Sequence, residues 1–336
     1  MAETHTFDTL DFRLLHALQI DGRASFSRIA AVLGVSDQTI ARRFRRLSSA
    51  MELRIVGVRD AELLGQDSWM LCLRVKPDAA EAVARALARR PDTSWIGLTS
   101  AGTEIVCTTS FSSAGEHEEL ILGKLPRTPS ITDIRAHQLL HRFFRGPNSW
   151  FGKDTAPDAE LVAELTPEWA AAGEPAQPLT RDSLDAAGEA LLRTLERDGR
   201  APHAELARVC GLSESAVRRR LDHLLRSGGV YIDTEFSTDA IGYTTHAILW
   251  VTAEPRSLDT VGRALARQPE VAAVFATTGE SNLTAVAICR GAAELYRYLN
   301  GAVGRLDGVQ RVEVSPVLRR IKQLVYEDGG RRRPGG

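Results

Sequence analysis

One segment of this chain occurs twice. Asp21–Leu47, DGRASFSRIAAVLGVSDQTIARRFRRL, returns as Asp198–Leu224, DGRAPHAELARVCGLSESAVRRRLDHL. Asp21 and Asp198, Gly34 and Gly211, and Ser36 and Ser213 each stand 177 residues apart. A duplication with fixed internal spacing means one supersecondary unit built twice. In the first copy Ile29, Ala30 and Leu33 share one helical face, and Gly34 ends the helix in the left-handed conformation that glycine adopts cheaply. Ser36 stands where its hydroxyl can cap a second helix, whose Ile40, Phe44 and Leu47 follow at i, i+4 and i+7. Leu206, Ala207 and Cys210, then Gly211 and Ser213, then Val217, Leu221 and Leu224 do the same in the second copy. Helix, tight turn and amphipathic helix make a helix-turn-helix.

Opposite Ile40, Phe44 and Leu47, at 100° per residue, lie Gln38, Arg42, Arg45 and Arg46, with Thr39 and Arg43 on the flank. Amide and guanidinium groups are what a helix in the major groove uses on base edges, and further cations meet phosphates. Ser36 completes the first candidate DNA-binding set; Ser213, Ser215, Arg218 and Arg219 form the second. The matching positions of the second face, Ser215, Arg219, Asp222 and His223, are less basic. Residues 21–60 hold eight arginines against four acids, whereas 198–236 balance six against six. The first copy is therefore expected to be the dominant reader, with Arg42→Ala costing more than Arg219→Ala. The alternative is an ordinary two-helix packing unit with a solvated arginine face.

Leu10, Leu14, Leu15 and Leu18, and again Leu184, Leu191, Leu192 and Leu195, predict a preceding helix, so each copy becomes a three-helix, winged-type head. Residues 1–8 read as a frayed tail. Leu53–Asp60 and Tyr231–Phe236 read as strands leaving the heads. A second repeated block follows each. Trp69–Lys76 alternates as a strand, Pro77 opens a helix with Val83 and Leu87, and Thr93–Ser100 and Glu104–Phe111 pair across Ala101-Gly102-Thr103. A short helix over 115–123 and a strand Ile131–Phe143 complete β-α-β-β-α-β, repeated from Ala247 to Leu318. RALARRP (85–91) against RALARQP (263–269) is offset by 178, one residue more than the heads.

The expected fold class is α+β, with two tandem units, each a helix-turn-helix head followed by a ferredoxin-like sandwich. The expected division is a first head at 8–52, connecting strand 53–65 and first sandwich 66–146. A Pro/Ala/Glu linker spans 147–181, with a helical turn or two around Leu161–Trp169. The second head covers 182–230, its connecting strand 231–242 and the second sandwich 243–326, before a basic tail at 327–336. A net charge of −1 conceals the local basicity of the first head. No apolar run approaches the roughly 18 residues of a membrane span. MAETHTFDTLDF lacks a signal peptide's basic and apolar regions, so a cytoplasmic protein is expected. Cys72, Cys107, Cys210 and Cys289 have no metal-ligand spacing and read as buried free thiols; no metal or cofactor is expected.

The head pattern LD…LL..L…DGR…IA..LGVS…RR…L, a connecting strand and a β-α-β-β-α-β domain together resemble the Lrp/AsnC (feast/famine) family of transcriptional regulators, twice in tandem. The resemblance implies that the heads bind double-stranded operator DNA. It also implies that the sandwiches pair, forming a homo-oligomer, and bind a small amino-acid-like effector. Members usually carry one such unit per chain, so this chain resembles a fused dimer. The family tends to have Gly followed by an acidic or amide residue at the turn after the second sandwich strand. Gly279-Glu280-Ser281-Asn282 fits that pattern, and Ala101-Gly102-Thr103-Glu104 has lost the leading Gly; Gly102, Thr103 and Glu104 with Gly279, Glu280, Ser281 and Asn282 are the candidate effector residues. A plain hairpin turn is the other reading. The competing class is an enzyme, because some siroheme decarboxylases resemble the same fold. His137 and His141, four apart on one predicted strand and hence on one face, with Arg135 and Arg142, could serve a tetrapyrrole's carboxylates. The dominant expectation is a regulator that is not an enzyme, with no catalytic residues.

Overall fold

The computed structural model describes residues 7–111, 114–144, 150–155, 158–167, 184–323 and 326–327. In chain order they form α1 (Thr9–Ile20), α2 (Phe26–Leu33), α3 (Asp37–Ala50) and β1 (Arg54–Arg59) as the first head. The first sandwich is β2 (Asp67–Val75), α4 (Ala80–Ala88), β3 (Thr93–Thr99), β4 (Glu104–Phe111), α5 (Ala114–Glu118) and β5 (Ile131–Phe144). After α6 (Trp150–Thr155) and α7 (Ala159–Leu165) comes the second head: α8 (Ala186–Arg197), α9 (His203–Cys210), α10 (Glu214–Arg226) and β6 (Val230–Glu235). The second sandwich is β7 (Thr245–Ala253), α11 (Leu258–Ala266), β8 (Val271–Thr277), β9 (Leu283–Cys289), α12 (Ala292–Gly301) and β10 (Val309–Pro316). Two further strands, β11 (Arg319–Gln323) and β12 (Tyr326–Glu327), follow it. The fold is α+β, with helical heads followed by antiparallel sheets. No helix among the described residues is long and apolar enough to cross a membrane.

These elements group across the duplication. One unit contains both heads, residues 1–64 and 146–243, and the other contains both sandwiches, residues 65–145 and 244–336.

In the unit of heads, β1 pairs antiparallel with β6, from Arg54 opposite Glu235 to Arg59 opposite Val230. The repeated Asp-Gly-Arg-Ala motif closes this pairing. Arg23 donates to the carbonyls of Gly199 (2.5 Å) and Ala201 (3.0 Å), and Arg200 donates to those of Gly22 (2.6 Å) and Ala24 (2.8 Å). Each guanidinium thus forks onto the other copy's motif, where backbone acceptors would otherwise be buried without partners. Asp21 and Asp198 fix the two loops by accepting the backbone N–H of Arg23 and Arg200 at 2.9 and 2.8 Å. Glycine is required at both second positions by close approach. A Cβ at Gly22 would lie 2.6 Å from the Ile232 side chain, and one at Gly199 3.0 Å from the Val56 backbone. Arg59 reaches from β1 to Glu196 (2.5 Å) and Glu189 (2.9 Å) of α8, tying the first copy's strand to the second head.

Two sequence expectations change in this unit. Asp8, assigned to a frayed tail, is the N-cap of α1: it accepts the Asp11 N–H at 3.0 Å, while its own N–H donates to the Asp11 carboxylate. Residues 150–155 and 158–167, expected in the linker, carry two packed helices, the second where the sequence predicts a helical turn or two around Leu161; Phe151, Leu161 and Leu165 are fully buried, and Arg13 pairs with Asp158 at 3.1 Å. Apolar side chains at Phe151, Leu161 and Leu165 outweigh the Pro, Asp and Glu around them. Most of the remaining linker, and the Arg331–Arg333 tail, lie outside the described residues.

In the unit of sandwiches, the strands form one sheet in the order β10-β7-β9-β8-β5-β2-β4-β3-β11-β12. Its two halves exchange terminal strands. Ile131–Gln138 of β5 pair with β2, and Leu139–Phe144 continue onto β8 of the second sandwich. Reciprocally β10 pairs with β7, and its continuation β11 pairs with β3 of the first. Phe143 thereby enters the second core, where Gly262 of α11 leaves room for its ring; a Cβ on Gly262 would come within 2.5 Å of it. The counterpart, 178 residues on, is Ile321 in the first core, where α4 carries Ala84. A large ring meets a hydrogen and a smaller side chain meets a methyl, so the two cores reach similar packing by different partitions of volume. On the face away from the helices, Met70, Cys72, Val106 and Ile248 form a further apolar cluster with Trp95, Leu139, Trp250 and Val317. Burial pushes the Cys72 thiol up to about 12, so it behaves as a small apolar group.

Candidate nucleic-acid interface and effector turns

The turn between α2 and α3 is built as its residues dictate. Gly34 (φ +68°) and Gly211 (φ +66°) are left-handed, and a Cβ at either would meet nothing, so backbone conformation alone demands glycine there. Ser36 accepts the Thr39 N–H at 3.2 Å and Ser213 the Ala216 N–H at 3.3 Å. Both serines are therefore N-caps of the recognition helices, and both remain exposed. Thr39 shares its hydroxyl with Ser36 (2.9 Å), and Ser215 with Ser213 (3.1 Å).

Gln38, Arg42 and Arg45 stand exposed on α3. Arg43 and Arg46 are already engaged. Arg43 donates to Asp8 (2.7 Å) and Asp11 (2.8 Å), and Arg46 donates to the other oxygen of Asp11, whose side chain is completely buried. The hydrogen bond that Arg43 donates to Asp8 holds the carboxyl below its usual range and raises the guanidinium above its own. In the second head Arg220 pairs with Asp185 at 2.7 Å, the same lock 177 residues on. Asp11 is replaced there by Gly188, and His223, in the place of Arg46, is exposed. Ser215, Arg218, Arg219, Asp222, His223 and Arg226 line one open groove along α10.

Counting each recognition helix with the caps that pair with it, both heads carry four arginines and three carboxylates. The first has Arg42, Arg43, Arg45 and Arg46 with Asp8, Asp11 and Asp37; the second has Arg218, Arg219, Arg220 and Arg226 with Asp185, Glu214 and Asp222. On the recognition helices themselves the two heads therefore carry equal net charge, because Asp8 and Asp11, outside residues 21–60, fold against α3; over the wider windows the first head remains the more basic. Sequence could have revealed the Asp8–Arg43 lock, since both residues recur at the 177-residue spacing; the Asp11 contact has no such echo. Asp11→Asn is expected to release Arg46 and weaken the hold on Arg43. The head loses about 1–2 kcal/mol by thermal unfolding. Non-specific DNA affinity rises, and the salt slope steepens by roughly one.

The seven effector candidates lie on two separate turns. Glu104 is buried and accepts from Thr99 (3.1 Å), Ser100 (3.2 Å) and Arg135 (2.6 Å), so it anchors its own turn. Ser100 (φ 51°) and Ala101 (φ 56°) are both left-handed ahead of Gly102, a strained path that those bonds support. Thr103 turns back to the Ser100 carbonyl at 2.7 Å. In the second turn Asn282 exchanges two hydrogen bonds with the backbone of Ala253 (2.9 and 2.8 Å), acting as a strand partner. Gly279 and Glu280 are exposed, Ser281 half-exposed. A Cβ on Gly279 would fall 2.3 Å from the His137 ring, whose Nδ1 lies 2.9 Å from the Thr278 carbonyl.

His137 and His141 do not share a face. The register of β5 shifts at Leu140, between Leu139 opposite Thr277 and His141 opposite Ala276. Such a bulge inverts the alternation beyond it. His137 sits beside Trp250 (5.8 Å), on the face away from the helices, whereas His141 packs edge-on to Phe143 (4.7 Å), which points into the helix-covered core. Arg135 is paired with Glu104. The four residues expected to meet one tetrapyrrole are thus divided between two sides of the sheet. Among the described residues no cluster of His, Cys, Asp or Glu could hold a metal ion.

Comparison with known proteins agrees with this architecture. Residues 7–48 and 184–225 match the AsnC-type helix-turn-helix domain, and 246–325 match the Lrp/AsnC ligand binding domain. An uncharacterized HTH-type transcriptional regulator of Pyrococcus abyssi is 31% identical over 144 residues, 43% of this chain and 90% of that protein. The HTH-type transcriptional regulator LrpA of the same organism is 28% identical over 140 residues, 41% of this chain and 99% of that one. The crystal structure of the siroheme decarboxylase NirDL superposes with a TM-score of 0.60 over 95% of this chain and 94% of its own, at 16% identity, which shows a shared fold and no more. With two helix-turn-helix segments, a ligand-binding domain and regulators as relatives, the chain belongs to the Lrp/AsnC family of transcriptional regulators.

Proposed function

We propose that the unit of heads binds double-stranded DNA through both recognition helices. The observation that carries this is that each recognition helix exposes two arginines, Arg42 and Arg45 on α3 and Arg218 and Arg219 on α10, on heads joined by the reciprocal forks of Arg23 and Arg200. The dominance of the first head expected from sequence is weakened, because Arg43 and Arg46 are paired internally. Arg42→Ala and Arg219→Ala are therefore each expected to weaken specific binding by about 2 kcal/mol. Titration of a DNA fragment from upstream of the coding sequence, over a salt series and against random DNA, tests both the reading and the equality. A loss at Arg42 alone restores the first head as sole reader.

For regulation, the exposed turn Thr278–Glu280 beside His137 is the better place for a small amino-acid-like effector, because Glu104 and Asn282 use their side chains within the fold. The Thr278 N–H donates to the Gln138 carbonyl, and the backbone N–H groups of Gly279 and Glu280 suit a carboxylate. Linked to the sandwiches, the effector would act by shifting how they associate, and further self-association of the chain through them belongs to the same reading. The second reading, a tetrapyrrole decarboxylase, is favoured by the fold shared with NirDL over nearly the whole chain. The separation of His137 from His141 speaks against it. Titration with siroheme followed by absorbance separates the two: a saturable spectral shift together with no DNA retention would reverse the order.

A further inference from the structure

We infer that the operator of this protein lacks dyad symmetry: its two half-sites differ in sequence, one read by Gln38 and Arg42, the other by Arg218 and Arg219. This rests on the DNA-binding reading above and extends it to the kind of sequence recognised. A homodimer of helix-turn-helix heads must read a palindrome, because both recognition helices are identical. Here the placement of the heads is symmetric while their reading surfaces are not. The symmetric part is the pairing of β1 with β6, the two arginine forks, and the lock of Arg43 on Asp8 repeated by Arg220 on Asp185.

The chemistry on that frame diverges position by position. At the 177-residue spacing, Gln38 corresponds to Ser215, Ala41 to Arg218, and Arg45 to Asp222; of these four positions Arg42 and Arg219 alone agree. A shared arginine asks for guanine through O6 and N7 in both halves. Gln38 adds a bidentate amide, which selects adenine, in the first half alone. Ser215 has a single hydroxyl already shared with Ser213 and selects no base. Arg218 brings a second guanidinium to the other half, and Asp222 an acceptor that suits a cytosine amino group. All five of Gln38, Arg42, Ser215, Arg218 and Arg219 are exposed. The first half-site is expected to join adenine to guanine, and the second to be richer in G·C pairs.

The experiment is selection by the full chain from a pool of random duplexes, followed by sequencing. The expected result is one motif of two unlike halves, about 10 base pairs apart between centres. Arg42→Ala is expected to erase sequence preference in one half and Arg219→Ala in the other, each lowering affinity about 10- to 100-fold. Exchange of the amide, Gln38→Ser with Ser215→Gln, alters only exposed side chains and is expected to move the adenine preference to the opposite half. A palindromic motif, a single half-site, or DNA binding without sequence preference overturns the inference and leaves DNA binding standing. Failure to retain any duplex overturns the DNA reading itself.

Discussion

Arg23→Ala is expected to destabilise the unit of heads by about 3 kcal/mol, and Arg200→Ala by slightly more. Each removal leaves two carbonyls at the seam between the copies without a donor, at roughly 1–3 kcal/mol for a buried group. Burial, and for Arg23 also the charge of Arg200, pulls both guanidinium groups below their ordinary range. That opposing cost keeps the net loss nearer 3 than 6. Arg200 also lies 4.7 Å above the Phe26 ring, a contact its partner lacks among the described residues, which supplies the difference. Chemical denaturation followed by circular dichroism measures both. Lysine should fail to rescue either position, because a single ammonium cannot span two carbonyls held by a planar fork. Full recovery by Arg23→Lys would mean that charge, and not the fork, matters at the seam.

The second large effect lies in the sandwiches. Phe143→Ala is expected to cost about 3 kcal/mol, the lower part of the range for an aromatic ring because this one is only half-buried. Gly262→Ala should also destabilise, since the new methyl would overlap the ring. Together, Phe143→Ile and Gly262→Ala recreate the combination already present at Ile321 and Ala84 in the other half. The pair should be more stable than the sum of its single changes predicts, with a coupling of about 1–2 kcal/mol in a double-mutant cycle. Strict additivity would show that the two residues do not share one volume.

Much of this architecture is legible in the chain because repetition marks it. The helix-turn-helix, its glycine and its capping serine obey local rules that a sequence displays directly, and so does the β-α-β-β-α-β order. What the sequence hides is which half each element serves. A strand's pattern tells which face is apolar and not whose sheet it joins, so the passage of Phe143 into the second core is invisible in it. The bulge at Leu140 is likewise unmarked by glycine or proline, and it alone parts His137 from His141. Contacts through space are hidden for a related reason. A charge sum along residues 21–60 does not register that Asp8 and Asp11 neutralise Arg43 and Arg46 from outside that stretch. The Asp-Gly-Arg-Ala motif stood out as a repeat, yet its role became evident only once the two copies faced each other.

The exchange of strands and arginines between copies has a thermodynamic consequence. Two separate chains joined in this way would part on dilution, and their affinity for an operator would carry the dimerisation constant within it. Here both partners belong to one polypeptide, so each meets the other at an effective concentration of about millimolar, whatever the amount of protein in solution. Pairing of the heads is then already complete at nanomolar protein. Occupancy of a two-headed site should rise with the first power of protein concentration instead of the second, giving a graded response even at a few copies per cell.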